Sequence, residues 1–313
     1  MNLLKELTRL DPNFARAYSR LAALYVLLAT SSEESLRFLQ DKVAANARQA
    51  SVLDPTLAEP YAALGVALSW VSGGLVAQRQ SFERALALDG DDVTTIFWYG
   101  LTLQRTGYRE RGTTLIDRAL EMDPMLPNAL RWRGILYFHA GDTANAELLL
   151  KRSRDLGMKW ADGELAYIAN ARGDTSAAIQ LSASGLATQL PGMPPGSNVV
   201  LAEGIYGDSD ARARALALID DFVSKSDQPL PGMITVILFL LGEPAEALAV
   251  QRKRQDLNSN DFLGLLWSPQ GKVMRELPEF QPFLRDFGLI ALWDQYGPPD
   301  LCKKNEQGDY VCE

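Results

Sequence analysis

Side chains able to carry out catalysis are scarce in this sequence of 313 residues. It contains one histidine, His139, which directly precedes Ala140 and Gly141 at a predicted helix end. A histidine acts as a general base only when the group it deprotonates lies within reach. The repeat brings no serine or cysteine nucleophile close to His139. An imidazole at a helix C-terminus is commonly solvated or stabilised by the helix dipole. We therefore do not assign His139 a catalytic role.

Glycine clusters and paired acids also lack the context that chemistry requires. The clusters at Gly73 and Gly74 and at residues 192–196 have neither the Lys-Ser/Thr pair nor the preceding strand of nucleotide-binding loops. The acid pairs at 91–92 and 220–221 lie at predicted helix ends or on polar faces, where capping or solvated charge is the ordinary explanation. The sequence therefore predicts no enzyme activity, no cofactor and no metal site.

The two cysteines, Cys302 and Cys312, both lie close to the C-terminal end of the chain. A structural zinc site needs four ligands, and no further cysteine or nearby histidine could complete one. A disulfide between them would close a loop of about ten residues, stabilise the tail by a few kcal/mol at most, and persist in an oxidising compartment. The spacing favours the disulfide and leaves two free thiols as the alternative.

Composition limits the possible partners. Lys and Arg number 31 against 39 Asp and Glu, giving a formal charge of −8, and no basic stripe is long enough to neutralise phosphates. We therefore expect no nucleic acid to bind. The longest apolar run, residues 233–241, is about half of what a membrane-spanning helix needs. It predicts a buried core helix and no membrane insertion.

Two series of residues repeat along the chain in phase. Short Asp-Pro or Asp-Gly sequences end successive segments at residues 12, 55, 90 and 124, which gives spacings of 43, 35 and 34. Small residues follow the same period, at Ala22, Gly65, Gly100, Gly134 and Ala166. Apolar residues surround each of them at helical spacing, and a small residue suits a point where two helices cross closely.

A helix, a turn, a second helix and a chain break in each of these periods resemble the tetratricopeptide repeat family. Gly107, Gly141 and Gly173 would be the turn glycines that close the first helices, and Gly107 and Gly141 would supply the left-handed residue that ends a helix. The resemblance implies an all-α fold: a right-handed superhelical tetratricopeptide (TPR) solenoid of antiparallel helix pairs with a C-terminal helical cap. The first repeat is longer than the others, and we expect residues 28–34 to extend its turn.

The repeat pattern divides the chain into four stretches. Residues 1–12 are predicted to be a remnant helix of a preceding repeat, and residues 13–157 to be regular repeats. Residues 158–257 are predicted to form divergent helical hairpins at 157–186, 198–225 and 231–255, with a loop at 191–196. Residues 258–313 form an aromatic-rich C-terminal cap and tail, expected to seal the apolar end of the stack.

The tail, residues 287–302 with 311–313, resembles the end of TPR sensor segments in bacterial membrane-anchored winged-helix transcriptional regulators. That resemblance implies a DNA-binding domain and a membrane span upstream, neither of which this chain contains. Because the repeats start in mid-pattern, a detached sensor segment is one expectation. Such a segment, with a disulfide, would be periplasmic, whereas the chain is otherwise expected to be cytoplasmic.

The TPR resemblance implies that the first helix of each repeat lines the concave groove, where partners bind. Trp98 and Trp132 fall at equivalent positions two residues before Gly100 and Gly134, and aromatic and arginine side chains carry much of the energy of interfaces. The alternative is that both indoles pack between helices. The predicted groove residues are Phe97, Trp98, Gln104, Arg105, Asn128, Arg131, Trp132, Phe138, Trp160, Tyr167 and Asn170.

These observations predict a non-catalytic scaffold whose groove binds a protein or peptide partner. The alternative is the sensor segment of a bacterial transcriptional regulator, which binds a ligand or oligomerises in signal transduction. The sequence does not specify the oligomeric state.

Overall fold

A computed structural model of the protein describes residues 1–29, 36–69, 74–225, 231–253 and 260–313. Nineteen helices and one two-stranded sheet lie in these ranges. The first nine helices are α1 (Asn2–Leu10), α2 (Ala15–Ala29), α3 (Leu36–Leu53), α4 (Glu59–Leu68), α5 (Leu75–Leu88), α6 (Val93–Arg105), α7 (Arg109–Met122), α8 (Pro127–His139) and α9 (Thr143–Asp155).

The remaining elements continue the helical pairs and then shorten. They are α10 (Ala161–Ala171), α11 (Thr175–Leu186), α12 (Ser197–Tyr206), α13 (Ser209–Lys225), α14 (Met233–Leu240), α15 (Pro244–Lys253), α16 (Asn260–Leu266), α17 (Lys272–Arg275), α18 (Phe280–Phe287), α19 (Leu289–Tyr296), β1 (Cys302–Lys304) and β2 (Tyr310–Cys312). The ranges predicted for three divergent hairpins contain the pairs α10 and α11, α12 and α13, and α14 and α15, apart from Ser197 at the start of α12, and their assignment as divergent repeats stays a prediction. The apolar run predicted to be a core helix is α14, with Ile234 and Ile237 fully buried.

The turns between paired helices follow from glycine and from aspartate caps. Gly107 and Gly141 have φ of 92° and 82°, as the sequence predicts, and the turn glycine Gly173 has φ of 81°. A residue with a Cβ is strained in this left-handed region, so each of these glycines allows the first helix of a pair to end sharply. The carboxylate of Asp142 then accepts a hydrogen bond from the Asn145 amide at the start of α9, and Asp174 does the same at the start of α11.

The small residues of the repeat lie where paired helices approach most closely. A Cβ built on Gly134 of α8 would lie 2.8 Å from Cγ of Leu150 in α9, and one on Gly65 of α4 would lie 2.8 Å from the ring of Phe82 in α5. Leu150 and Phe82 are almost completely buried. A side chain of the second helix therefore occupies the space that a side chain on the first helix would need.

The chain divides into two compact units, which are described separately. The first takes in Met1–Thr102 and Leu284–Pro298, and its other stretch, residues 255–258, lies outside the described residues. Within it α19 packs against α5, and the guanidinium of Arg79 lies 3.8 Å from the ring centroid of Tyr296. The C-terminal segment thus contributes a buried helix to the N-terminal repeats.

The second unit takes in Leu103–Arg254, Ser259–Phe283 and Pro299–Glu313, as far as these are described. Here α16 packs against α14 and α17 against α15, which is the contact expected of a cap on the last pair. The C-terminal segment also contacts residues much earlier in the chain. The indole nitrogen of Trp267 donates a hydrogen bond of 2.8 Å to the Arg105 carbonyl, and Oδ2 of Asp300 accepts one of 2.8 Å from the Glu110 amide. Sealing the end of the stack therefore accounts for only part of what this segment does.

The two cysteines form a disulfide that closes a small hairpin. Strands β1 and β2 are antiparallel, with Cys302 opposite Cys312 in the register. The side-chain amide of Gln281 donates a hydrogen bond to the Tyr310 carbonyl, which ties the hairpin to α18. Of the two alternatives left open by the sequence, the structure has the disulfide.

Two sequence predictions fall wholly or partly on residues that are not described. Most of the turn predicted to be extended, residues 28–34, lies outside the described residues. Gly73 lies outside them too. The described parts of the first repeat show that its helices also differ, since α3 has 18 residues where α5 and α7 have 14. No described helix is long and apolar enough to cross a bilayer.

The contact at Gly134 gives a direct test of the packing. We expect Gly134→Ala to destabilise the protein by about 1–2 kcal/mol, because the new methyl group overlaps Leu150 and the gain in helix propensity offsets only part of the overpacking. Gly163→Ala in α10 is the matched control, since no atom lies within 4 Å of its added Cβ. Urea unfolding followed by circular dichroism measures both, and equal stability of the two variants would contradict the close approach.

Candidate functional site

An aromatic pocket lies within the second unit, and the first helices of four successive pairs form most of its wall. Its volume is about 100 Å³. Helices α8, α10, α12 and α14 contribute to the wall, together with α11 and α16. The lining residues are Arg131, Trp132, Ile135, Phe138, His139, Trp160, Gly163, Glu164, Tyr167, Ser182, Gly185, Leu186, Gln189, Ile205, Tyr206, Met233, Val236, Ile237, Leu240, Gly264 and Leu265. Five of the predicted groove residues are among them: Arg131, Trp132, Phe138, Trp160 and Tyr167.

A buried ion pair forms part of the pocket wall. The guanidinium of Arg131 in α8 makes two hydrogen bonds to the carboxylate of Glu164 in α10, one of them 3.0 Å from Nε to Oε2. Their side chains are only 5% and 13% exposed. The Arg131 guanidinium also lies 5.6 Å from the ring centroid of Trp132 and 5.9 Å from that of Trp160. The two-point pairing fixes both charges and leaves neither unbalanced.

The C-terminal segment covers Trp132. A Cβ on Gly264 of α16 would lie 2.9 Å from the indole of Trp132, and this indole is 5% exposed. The guanidinium of Arg105 lies 5.3 Å from the same ring. The indole of Trp132 therefore packs between helices, which is the alternative role considered for the two repeated tryptophans. It also lines the pocket.

Part-exposed aromatic residues line the rest of the pocket. The rings of Phe138 and Tyr167 are stacked with their centroids 6.1 Å apart, and the His139 ring lies 6.2 Å from that of Phe138. Behind them Phe138 packs on a buried apolar cluster that includes Leu150 and Leu165. Because Phe138, His139, Trp160 and Tyr167 are only partly buried, the pocket is reachable from solvent.

The titratable groups of the pocket are uncharged or paired at neutral pH. Burial, with a smaller effect of Arg109, lowers the pKa of His139 to about 4, so the imidazole is neutral. Burial also raises the pKa of Tyr206, and the nearby Tyr167 and Glu164 raise it further, so the phenol stays protonated. With Arg131 and Glu164 compensating each other, the lining presents no net charge.

Some polar groups of the lining lack a hydrogen bond within the part of the chain that the structure describes. Among the described residues we find no hydrogen-bond partner for the hydroxyls of Ser182 and Tyr206 or for the ring of His139. Ser182 is only 5% exposed. These hydroxyl groups and the imidazole are therefore available to hydrogen-bond with a molecule that enters the pocket.

The other predicted groove residues do not line the pocket. Phe97 and Trp98 belong to the first unit, where their rings contact each other with centroids 5.5 Å apart. The Gln104 amide is buried and donates to the Arg109 carbonyl and the Thr113 hydroxyl. Asn170 is exposed on α10, and Asn128 has a buried Oδ1 for which no partner is found in the described residues. For these residues the groove assignment stays a prediction.

Sequence reasoning missed about three quarters of the pocket wall, since five of its 21 lining residues were predicted. Glu164 lies two residues before Ala166 and Arg131 three residues before Gly134, so opposite charges at neighbouring places of successive first helices were a signal that could have identified the pair. Nothing in the local sequence distinguishes Ser182 or Tyr206 from other polar residues of the divergent hairpins. Within the described residues no group of three or more His, Cys, Asp or Glu is placed to hold a metal ion.

Known structures share the fold, while sequence comparisons find no relatives. No protein-family model matches the chain, and no curated protein does either. The chain is similar to a chain of the APC/C hetero-tetramer Cut9-Hcn1, at 14% identity and TM-score 0.53, over 91% of this chain and 51% of that one. It is also similar to a tetratricopeptide repeat protein from Parabacteroides merdae, at 17% identity and TM-score 0.46, over 80% and 97% of the two chains.

The likeness to the Cut9-Hcn1 chain concerns the fold alone, and this chain spans about half of that one's length. Together with the glycine turns and the close helix pairs, it identifies an all-α TPR fold.

Replacement of Glu164 tests the ion pair. We expect Glu164→Gln to destabilise the protein by about 3 kcal/mol, because it leaves the buried Arg131 charge without its counter-ion. Glu147→Gln is the matched control, since Glu147 pairs with Arg172 and Lys151 on an exposed surface and should lose much less. Denaturant unfolding at pH 7 measures both losses, and similar losses would show that the Arg131–Glu164 pair is not buried.

The single histidine predicts a pH dependence of stability. The pKa of His139 is about 4 in the folded protein and near 6.5 in an unfolded chain, so the unfolded state binds more protons between these values. Its contribution to stability is complete above pH 6.5 and is lost as the pH falls towards 4. We expect roughly 2–3 kcal/mol more loss between pH 7 and 4.5 in the wild type than in His139→Gln. Urea unfolding across this range measures it, and parallel curves for the two proteins would contradict the burial of a neutral imidazole.

Proposed function

We propose that this chain is a non-catalytic TPR scaffold that binds a partner polypeptide, and that the aromatic pocket receives an anchoring side chain of that partner. The observation that carries the proposal is the convergence of five predicted groove residues on one apolar pocket. The first helices of four successive pairs build this pocket, and the TPR resemblance assigns partner binding to those helices.

The chemistry of the lining supports a binding role. Trp132, Trp160, Phe138 and Tyr167 offer large aromatic surfaces, which together with arginine are enriched at the energetic centres of interfaces. A concave, mostly apolar site with a few polar groups is also the usual form of a binding pocket. A partner side chain that fills it would bury apolar surface on both molecules.

The same lining does not favour catalysis. A general base or nucleophile needs a partner that activates it, and the neutral His139 has no hydrogen bond to a described residue. The phenol of Tyr206 is held in its protonated form, and the carboxylate of Glu164 is bound to Arg131. We therefore propose that the protein acts as a scaffold and not as an enzyme.

A second candidate is the sensor segment of a bacterial transcriptional regulator. One observation favours it: α16, which belongs to the C-terminal segment, forms part of the pocket wall through Gly264 and Leu265. A molecule bound in the pocket would then contact the C-terminal segment, which also carries the disulfide hairpin. Hydrogen exchange at α16 with and without a bound peptide tests this candidate, because a sensor requires the protection of α16 to change.

Peptide selection tests the scaffold directly. We expect peptides enriched from a random display library on the full chain to bind Gly163→Leu at least tenfold more weakly. No atom lies within 4 Å of a Cβ at Gly163, so the leucine side chain extends into the pocket without disturbing the backbone. The control is Ala171→Leu, which places the same side chain at an exposed position at the end of α10, outside the pocket lining.

Isothermal titration calorimetry gives the dissociation constants, and circular dichroism confirms that both variants fold. The proposal is wrong if no peptide is enriched, or if the enriched peptides bind Gly163→Leu and wild type equally well.

A further inference from the structure

We propose that the aromatic pocket is selective for the side chain of tyrosine: one uncharged ring that carries one hydroxyl group. The inference rests on the proposed function, since it names the anchor that the partner polypeptide inserts. Size indicates a single ring, charge indicates a neutral group and hydrogen bonding indicates a hydroxyl, and together they indicate tyrosine.

The volume of the pocket suits a single ring. An enclosed apolar cavity of about 150 Å³ accommodates benzene. This pocket is smaller, about 100 Å³, but it is open to solvent past part-exposed aromatic residues, so one ring fills it with its outer edge at the mouth. The double ring of tryptophan would leave much of its surface outside the pocket. A small aliphatic side chain would leave part of the space unfilled and lose contacts.

The charge balance of the lining excludes ionised groups. Arg131 is bound to Glu164 by two hydrogen bonds, and His139 and Tyr206 are neutral at pH 7. A carboxylate, ammonium or phosphate entering the pocket would leave water without gaining a counter-ion. A tyrosine would therefore be accepted and a phosphotyrosine rejected.

The hydrogen-bonding groups of the lining favour a hydroxyl over a bare ring. The hydroxyl of Tyr206, close to Tyr167 and Glu164, has no hydrogen-bond partner among the described residues, and the nearly buried hydroxyl of Ser182 has none there either. A phenol can both donate and accept, so it can pair with such groups. Phenylalanine would cover them without pairing, and a site of this kind discriminates against the analogue that lacks the hydroxyl.

Amino-acid amides measure this selectivity without an identified partner. We expect N-acetyl-tyrosinamide to bind the full chain about tenfold more tightly than N-acetyl-phenylalaninamide, because one hydrogen bond distinguishes them. N-acetyl-phosphotyrosinamide should show no binding. Proton NMR titration measures all three, and equal binding of the tyrosine and phenylalanine amides would overturn the inference.

Two variants separate recognition from folding. Tyr206→Phe should reduce the preference for tyrosine over phenylalanine to less than about threefold while the phenylalanine amide binds as before, a change that a purely structural role of Tyr206 would not produce. Gly163→Leu should abolish binding of every amide, and Ala171→Leu, at an exposed position outside the pocket, should change none. If p-cresol bound at least as tightly as the tyrosine amide, the pocket would serve a free phenol, and a partner's side chain would be the wrong source.

This experiment and the peptide selection fail in different ways. Selected peptides that need the open pocket but contain no tyrosine would overturn the tyrosine selectivity and leave the scaffold intact. Binding of the tyrosine amide without any peptide that depends on the pocket would overturn the scaffold.

Discussion

The close approach of paired helices at small residues is the constraint on which the second unit depends. At Gly134 the side chain of Leu150 takes the space that a Cβ would need, and at Gly185 that space is taken by the backbone of Gly163, with 2.8 Å to its nitrogen. These contacts set how near the two helices of a pair lie and therefore where the next first helix begins. Both glycines also line the pocket: the missing side chain of Gly185 lets α10 and α11 approach, and the missing side chain of Gly163 leaves part of the cavity open.

The buried pair of Arg131 and Glu164 adds specificity more than stability. Moving both charges out of water costs about as much as their attraction returns, so an apolar pair of the same volume could replace them with little loss. What the pair provides is orientation, since its two hydrogen bonds fix α8 relative to α10 and hold the guanidinium near the indoles of Trp132 and Trp160. It does so without giving the pocket a net charge.

Local sequence signals predicted the local structure well. Period, turn glycines and chain breaks depend on neighbours within about one repeat, so the helix pairs and the left-handed residues at Gly107 and Gly141 could be read from the sequence. Contacts between distant residues could not. Equivalent places in the repeat look alike in sequence, yet Trp132 is covered by α16, which lies several repeats further along the chain. The lining contributed by Ser182 and Tyr206 depends on tertiary packing that no periodicity encodes.

The contacts of the C-terminal segment with Arg105 and Glu110 have a consequence for biosynthesis. Helical repeats contact mainly their neighbours and can fold in order as they leave the ribosome. In the second unit the Arg105 carbonyl is bound by Trp267, and the Glu110 amide at the start of α7 is bound by Asp300, so neither bond can form until this late segment has been made. The surface around Trp132 therefore stays uncovered until translation is almost complete. A chaperone would encounter it in that interval, and chains that stall before residue 260 would expose it permanently.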